Sequence, residues 1–290
     1  MDLDLAQLRA FDATVTAGTL DGAARALHVT PSAISQRLKA LEAATGRVLL
    51  VRSKPVQVTE SGQPVLRLAR QVALLAADAT RELAAAGPAT LPIALNADSM
   101  ATWVLPALAP LTGDYAFDLH REDQEHTATL LREGRVMAAV TSAADPVPGC
   151  TVTRLGGMRY RPMATAAFVA RWFSDGVTAA ALTRAPAVVY DRRDDLQHRF
   201  LRAQGVQVPP PLHHVPASAD YIRAVRLGFG WGMVPQQQEP PGELVELDPD
   251  GAVDVVLYWQ QWKLRSPSLD RVAEAVLAAA RRELDQAPTR

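Results

Sequence analysis

The chain has 290 residues, enough for two or three domains, and 48% of them are hydrophobic, which supports buried cores. Thirty Lys and Arg stand against 31 Asp and Glu, a formal net charge of −1, and the single cysteine, Cys150, excludes an internal disulfide and a cysteine-rich metal site. No apolar run reaches the ~18 residues of a membrane span, and the opening MDLDLAQL carries acids where a secretory signal needs bases, so the sequence predicts a soluble, cytoplasmic protein with no membrane partner.

Residues 19–45, TLDGAARALHVTPSAISQRLKALEAAT, predict two short amphipathic helices joined by a tight connection. The second opens on a strong start signal: Thr30 as N-cap, then Pro31 at the first helical position, where a missing N–H costs nothing. Ile34, Leu38 and Leu41 follow at i, i+4 and i+7 and form one apolar stripe. The opposite face carries Ser32, Ser35, Gln36 and Lys39, with Arg37 at its edge. Such a face suits a DNA major groove, because Gln pairs bidentately with adenine, Ser bonds either base edge, and Lys or Arg reaches guanine or phosphate. Val48 to Arg52 and Val56 to Thr59 are β-prone runs around Ser53, Lys54 and Pro55, a wing with Arg52 and Lys54 near its tip. The candidate DNA contacts are therefore Thr30, Ser32, Ser35, Gln36, Arg37, Lys39, Arg52 and Lys54, with Ser35 and Gln36 assigned to bases and Arg52 and Lys54 to phosphate or the minor groove.

Charge agrees with a double-stranded DNA partner. Residues 1–70 hold nine Lys and Arg against six Asp and Glu, a balance of +3, so the remainder carries −4. Phosphate binding follows local charge, and +3 is modest for one copy acting alone.

After the wing, Thr59 is a candidate N-cap for a long helix from about Glu60 to Ala86. Val65, Leu68, Val72, Leu75, Ala79 and Leu83 recur at gaps of three and four, a narrow seam that predicts pairing with a second copy. Gly87 and Pro88 end the helix and mark a linker. From Leu91 onward, β-prone runs alternate with helical segments, predicting an α/β region with largely parallel sheets.

This order of parts resembles the LysR-type transcriptional regulators over essentially the whole chain, most specifically in AARALHVTPSAISQRLKALE and in TESG at 59–62. ALNADSMATW, REDQEHT, AAVTSAADPVPGC, RLGFGWGMVP and YWQQWKLRSPSL are similar to the ArgP/LysG branch, which controls export of basic amino acids. The resemblance implies α/β architecture with an N-terminal winged helix–turn–helix (1–58), a linker and dimerisation helix (59–87), and a two-lobed, periplasmic-binding-protein-like effector domain (88–290). Its first lobe would be about 91–162 with 267–286, and its second about 163–266. It also implies homodimers or homotetramers, a small-molecule effector such as L-lysine or L-arginine, RNA polymerase as a partner, and no cofactor.

Ligands of such sheets sit beyond the carboxyl ends of the strands. Asn96, Asp98 and Ser99 follow the first strand of the α/β region, with Trp103 one helical turn on; Glu122 and Asp123 follow the second strand, and Thr141 and Ser142 end the third. Tyr190 and Asp191 end a strand of the second lobe, and Ser218 and Asp220 open a helix there. Hydroxyl and amide donors beside several carboxylates fit a zwitterion with a cationic side chain. Glu122 and Asp123 are assigned to the cation and Ser99 to the α-carboxylate. Enzyme readings are weaker. Ser99, His120 and Asp123 lack a nucleophile elbow, His213 and His214 lack zinc-site spacing, and GFGWG at 228–232 is neither a P-loop nor a dinucleotide fingerprint. The alternatives are a regulator with an organic-acid effector and a solute-binding protein without a DNA function.

Overall fold

A computed structural model describes residues 3–51, 53–83, 89–121, 124–238 and 242–286. The N-terminal head is three helices and a hairpin: α1 (Leu5–Ala17), α2 (Leu20–Ala26), α3 (Pro31–Thr45), β1 (Leu50–Val51) and β2 (Gln57–Val58). Each helix starts on a side-chain cap. Asp4 accepts from the amides of Ala6 and Gln7, Thr19 from Gly22, and Thr30 from Ala33. Ile34, Leu38 and Leu41 of α3 are buried with Leu8, Phe11, Leu49 and Leu66, so one small core orients α3 against the other helices.

The linker helix is α4 (Gly62–Glu82), shorter than the expected 60–86. Gly87 and Pro88 lie outside the described residues. The Thr59 hydroxyl accepts from the Gly62 amide at 3.0 Å and donates to the Val48 carbonyl at 2.8 Å, joining wing to helix. Gly62 itself is sterically required: a Cβ there would lie 2.3 Å from the Leu49 carbonyl oxygen and 2.8 Å from Val58 Cγ1. Gly62→Ala should therefore lower stability by about 1–3 kcal/mol, read as a lower urea midpoint; an unmoved midpoint would contradict this packing.

One face of α4 is covered within its own chain. Leu66 and Ala69 join the head core, and Leu74 joins the core of the α/β region. The α/β region folds back against this face, whose Leu66, Ala69 and Leu74 lie outside the seam expected to pair with a second copy. Arg67 donates to the carbonyls of Arg132 (3.0 Å) and Pro148 (3.3 Å). Arg70 bridges Asp12 of α1 (2.8 Å) and the Gly134 carbonyl (2.8 Å). Asp78 is buried and accepts from the hydroxyls of Ser266 (2.6 Å) and Ser268. The other face stays open: Leu68, Leu75 and Leu83 are 37%, 41% and 79% exposed.

The α/β region contains β3 (Ala89–Leu95), α5 (Ala97–Ser99), α6 (Leu105–Leu108), β4 (Tyr115–Arg121), α7 (Gln124–Arg132), β5 (Ala138–Thr141) and β6 (Cys150–Ala164). It continues through α8 (Ala166–Trp172), α9 (Ala179–Leu182), β7 (Ala187–Val189), α10 (Leu196–Ala203), β8 (Leu212–His214) and α11 (Ser218–Arg226). It ends with β9 (Gly232–Pro235), β10 (Val245–Glu246), β11 (Val253–Trp262) and α12 (Pro267–Glu283). Met100–Val104, between α5 and α6, is a π-helical turn.

The main sheet runs β10-β6-β11-β5-β3-β4, with β9 also on β6. β3 is parallel to β4 and β5, and β7 to β8. The expectation of largely parallel sheets is corrected at β6 and β11, which pair antiparallel with each other, with β9, β10 and β5. These two long strands run from one lobe into the other. Tyr258 to Gln261, expected in the second lobe, pair with β5 of the first.

Candidate DNA-reading face and interlobe cleft

On α3, Ser32, Gln36 and Lys39 are exposed on the side opposite the buried stripe, and Ser35 and Arg37 are half-buried at its margins. The Thr30 hydroxyl is engaged by the Ala33 amide at 3.2 Å, so this side chain fixes the start of the helix. Lys54 is exposed in the wing, where Ser53 Oγ donates to the Pro55 carbonyl at 2.6 Å. Arg52 lies outside the described residues. With an exposed Gln flanked by short hydroxyls, Gln36→Ala should relax specificity at one base position by roughly 1–3 kcal/mol. Lys54→Ala should weaken all DNA sequences alike and flatten the salt dependence. Titrations against operator and scrambled DNA separate the two, and equal weakening of both by Gln36→Ala would remove Gln36 from base reading.

Between the lobes lies a cleft of about 720 Å³. From the first lobe it is lined by Asn96, Asp98, Arg121 and Ser142, and from the second by Tyr190, Asp191, Asp194, Asp195, Arg193 and Arg199. Tyr160 of β6 and Asp254 and Tyr258 of β11 complete it. Asp98 sits at the join. It accepts from Tyr160 Oη at 2.8 Å and from Ser218 Oγ, across on the second lobe, at 2.7 Å. Burial pushes its carboxyl above the ordinary 3.8, against the pull of those two hydroxyls. Asp194 is likewise raised, by burial first and then by the charges of Asp98 and Asp191, although the amides of Tyr190 and Leu196 hold it down. Burial also raises Tyr190, and Tyr160 well above its ordinary value. A half-open cleft with partly shielded carboxylates is a place where a cation is stabilised on entry.

Five of the twelve residues expected at an effector site line this cleft: Asn96, Asp98, Ser142, Tyr190 and Asp191. Ser218 reaches it through Asp98. Four others do not line it. Ser99, expected to meet a carboxylate, is wholly enclosed, because the turn that exposes Asp98 points the next side chain inward. Trp103 is 3% exposed in the first-lobe core. Thr141 is buried and its hydroxyl accepts from the Ala143 amide at 3.1 Å, which shapes the turn presenting Ser142. Asp220 is exposed on α11, away from the cleft. Glu122 and Asp123 lie outside the described residues. Sequence reasoning missed Tyr160, Asp194, Asp195, Arg121, Arg193 and Arg199. Asp194, between β7 and α10, had a readable signal as a carboxylate just past a strand end. Among the described residues, no group of His, Cys, Asp and Glu is placed to hold a metal ion, and no helix is long and apolar enough to cross a membrane.

Comparison with known families settles the architecture. Residues 5–63 match the bacterial regulatory helix-turn-helix protein, lysR family, and residues 85–281 match the LysR substrate binding domain. The chain belongs to the LysR family. It is 47% identical to the HTH-type transcriptional regulator LysG of Mycobacterium tuberculosis over 286 residues, 96% of this chain and 94% of the relative. The crystal structure of ArgP from Mycobacterium tuberculosis superposes with a TM-score of 0.88 at 46% identity, covering 98% of this chain and 99% of that one. Full-length LysG from Corynebacterium glutamicum with bound effector Arg has a TM-score of 0.78 at 37% identity, covering 97% and 99%. This LysR-family protein is thus a DNA-binding transcriptional regulator and not an enzyme, with the winged helix–turn–helix and two-lobed effector domain that its sequence predicts.

Proposed function

We propose that this regulator senses a basic amino acid, L-lysine or L-arginine, in the interlobe cleft and controls the gene of an amino-acid exporter. The observation that carries the reading is the cleft itself, where half-buried Asp98 and Asp194 face a space also lined by Arg121, Arg193 and Arg199. Carboxylates and guanidinium groups in one cleft complement a zwitterion bearing an extra positive charge. The bound Arg of the Corynebacterium glutamicum LysG structure supports the same ligand class. Effector binding shifts the population of lobe arrangements and so the spacing of DNA-binding heads. The working form is a homodimer joined along α4, paired again into a tetramer through effector domains, acting in the cytoplasm on double-stranded operator DNA and on RNA polymerase there.

The test is a mobility shift on the DNA upstream of the protein's own gene and of its divergent neighbour, at fixed salt, with and without L-lysine and L-arginine. Binding that responds to either amino acid supports the reading. The three arginines favour one other ligand class, an organic acid; a response to carboxylic acids and to neither amino acid would replace the basic-amino-acid reading with that one.

A further inference from the structure

The cleft carboxylates differ in what already occupies them. Asp191 Oδ1 accepts from the amides of Arg193 (2.8 Å) and Asp194 (3.0 Å), and Asp194 accepts from the amides of Tyr190 (3.0 Å) and Leu196 (3.1 Å). Both therefore hold the 190–196 loop in shape. Asp195 pairs with Arg202, and Asp254 forms a two-pronged pair with Arg159 at 2.8 and 2.9 Å. The hydrogen bonds to Asp98 come instead from two hydroxyls, Tyr160 and Ser218. Ser218 Oγ also accepts from Gln238 Nε2 at 3.1 Å, whereas the Tyr160 hydroxyl, while donating, keeps lone pairs that can accept. Two residues earlier, Asn96 lines the same cleft at 5% exposure, and its buried Oδ1 accepts no hydrogen bond from the described residues.

A buried amide oxygen without a donor is costly unless a ligand supplies one. The carboxylate of Asp98, the oxygen of Asn96 and a neighbouring hydroxyl offer three acceptors, and an ammonium presents three donors spread tetrahedrally. A guanidinium spreads five donors in one plane and suits a flat carboxylate edge instead. Lysine and arginine share one ammonium, that on Cα. We infer that Asp98 and Asn96 form the subsite for the α-ammonium of the effector, leaving its side-chain cation to the acidic loop of the second lobe. This assignment rests on the amino-acid reading of the cleft, and it makes a free α-amino group a requirement for every ligand.

Two substitutions and three ligands test it. Affinities of the full-length protein for L-arginine, L-citrulline and Nα-acetyl-L-arginine are measured by calorimetry, or by displacement of labelled arginine where heats are small. Citrulline keeps the α-ammonium and loses the side-chain charge; the acetyl derivative does the reverse. Asp98→Asn should weaken arginine and citrulline by the same factor, roughly 10- to 100-fold, and the wild-type protein should bind the acetyl derivative at least as poorly as the variant binds arginine. Loss confined to arginine, or tight binding of the acetyl derivative, would overturn the assignment. Asn96→Ala removes an acceptor that no described group uses, so it keeps the test open should Asp98→Asn fail to fold, and it should show the same parallel weakening. If wild-type protein binds none of the three, the amino-acid reading of the cleft falls and this assignment with it.

Discussion

Aspartate at both Val72 and Leu75 should turn the protein into monomers and abolish tight operator binding. Leu75 is 41% and Leu83 79% exposed on the open face of α4, and Val72 is half-buried one turn before Leu75, while the covered face holds Leu66, Ala69 and Leu74 in the chain's own cores. Pairing along that stripe would bury four new carboxylates per dimer at a desolvation cost of several kcal/mol each, enough to weaken association by far more than about 1,000-fold. The fold of each chain survives, because neither side chain is part of its core. One head with a balance of +3 then binds DNA alone, and its affinity falls to the salt-sensitive, non-specific range. Light scattering and circular dichroism read the two halves of this expectation. A variant that remains dimeric and binds operator would show that α4 is not the interface.

L-Norleucine, which keeps the chain of lysine but not its cation, should bind at least about 100-fold more weakly. With Asp195 and Asp254 already paired to Arg202 and Arg159, and Asp98 assigned to the α-ammonium, Asp191 and Asp194 of the second-lobe loop are the carboxylates left to a side-chain cation, and a ligand without that charge leaves them matched by backbone amides alone. Breaking one partner from a buried pair costs about 3–5 kcal/mol. The same carboxylates set the pH dependence. Burial raises Asp98 and Asp194 above the ordinary 3.8, so each protonates before an exposed carboxyl does as pH falls. Cation binding needs the ionised form. Lysine affinity therefore declines with falling pH, beginning above the usual carboxylate range, and recovers as pH rises. Calorimetry from neutral pH down through the usual carboxylate range checks the sign, and an affinity that stays flat until below that range would set these carboxylates aside.

The head was legible because its signals are local. Thr30–Pro31 and Ser266–Pro267 mark helix starts whatever lies around them, and the Ile34, Leu38, Leu41 stripe names the buried side of α3. The cleft was legible in outline only. Gly156–Gly157 reads as a strand end, yet β6 continues through both to Ala164, because β11 pairs beside it with a register shift at Leu257 and Tyr258. That continuation is what delivers Tyr160 to Asp98. Ser99 illustrates the other limit. A hydroxyl next to a strand end is as compatible with an enclosed side chain as with a cleft contact, and only the turn geometry decides. Half of the cover on α4 was invisible for a similar reason: Arg67, Arg70 and Asp78 reach carbonyls and hydroxyls distant in sequence, and long-range polar contacts leave no periodic trace.

Those same three residues make α4 a lever. Arg67 and Arg70 fasten it to the first lobe near one end and Asp78 near the other, eight to eleven residues apart, about 12–16 Å of helix. A beam bolted at two points cannot pivot on either, and the Arg70–Asp12 bridge bolts the head to it as well. Head, beam and first lobe of one chain therefore swing together. An arm of roughly 30 Å turned through about 10° carries its tip about 5 Å, further than the ~3.4 Å rise between base pairs. A few degrees of rotation between partners is enough to move a reading helix off one base step and onto the next.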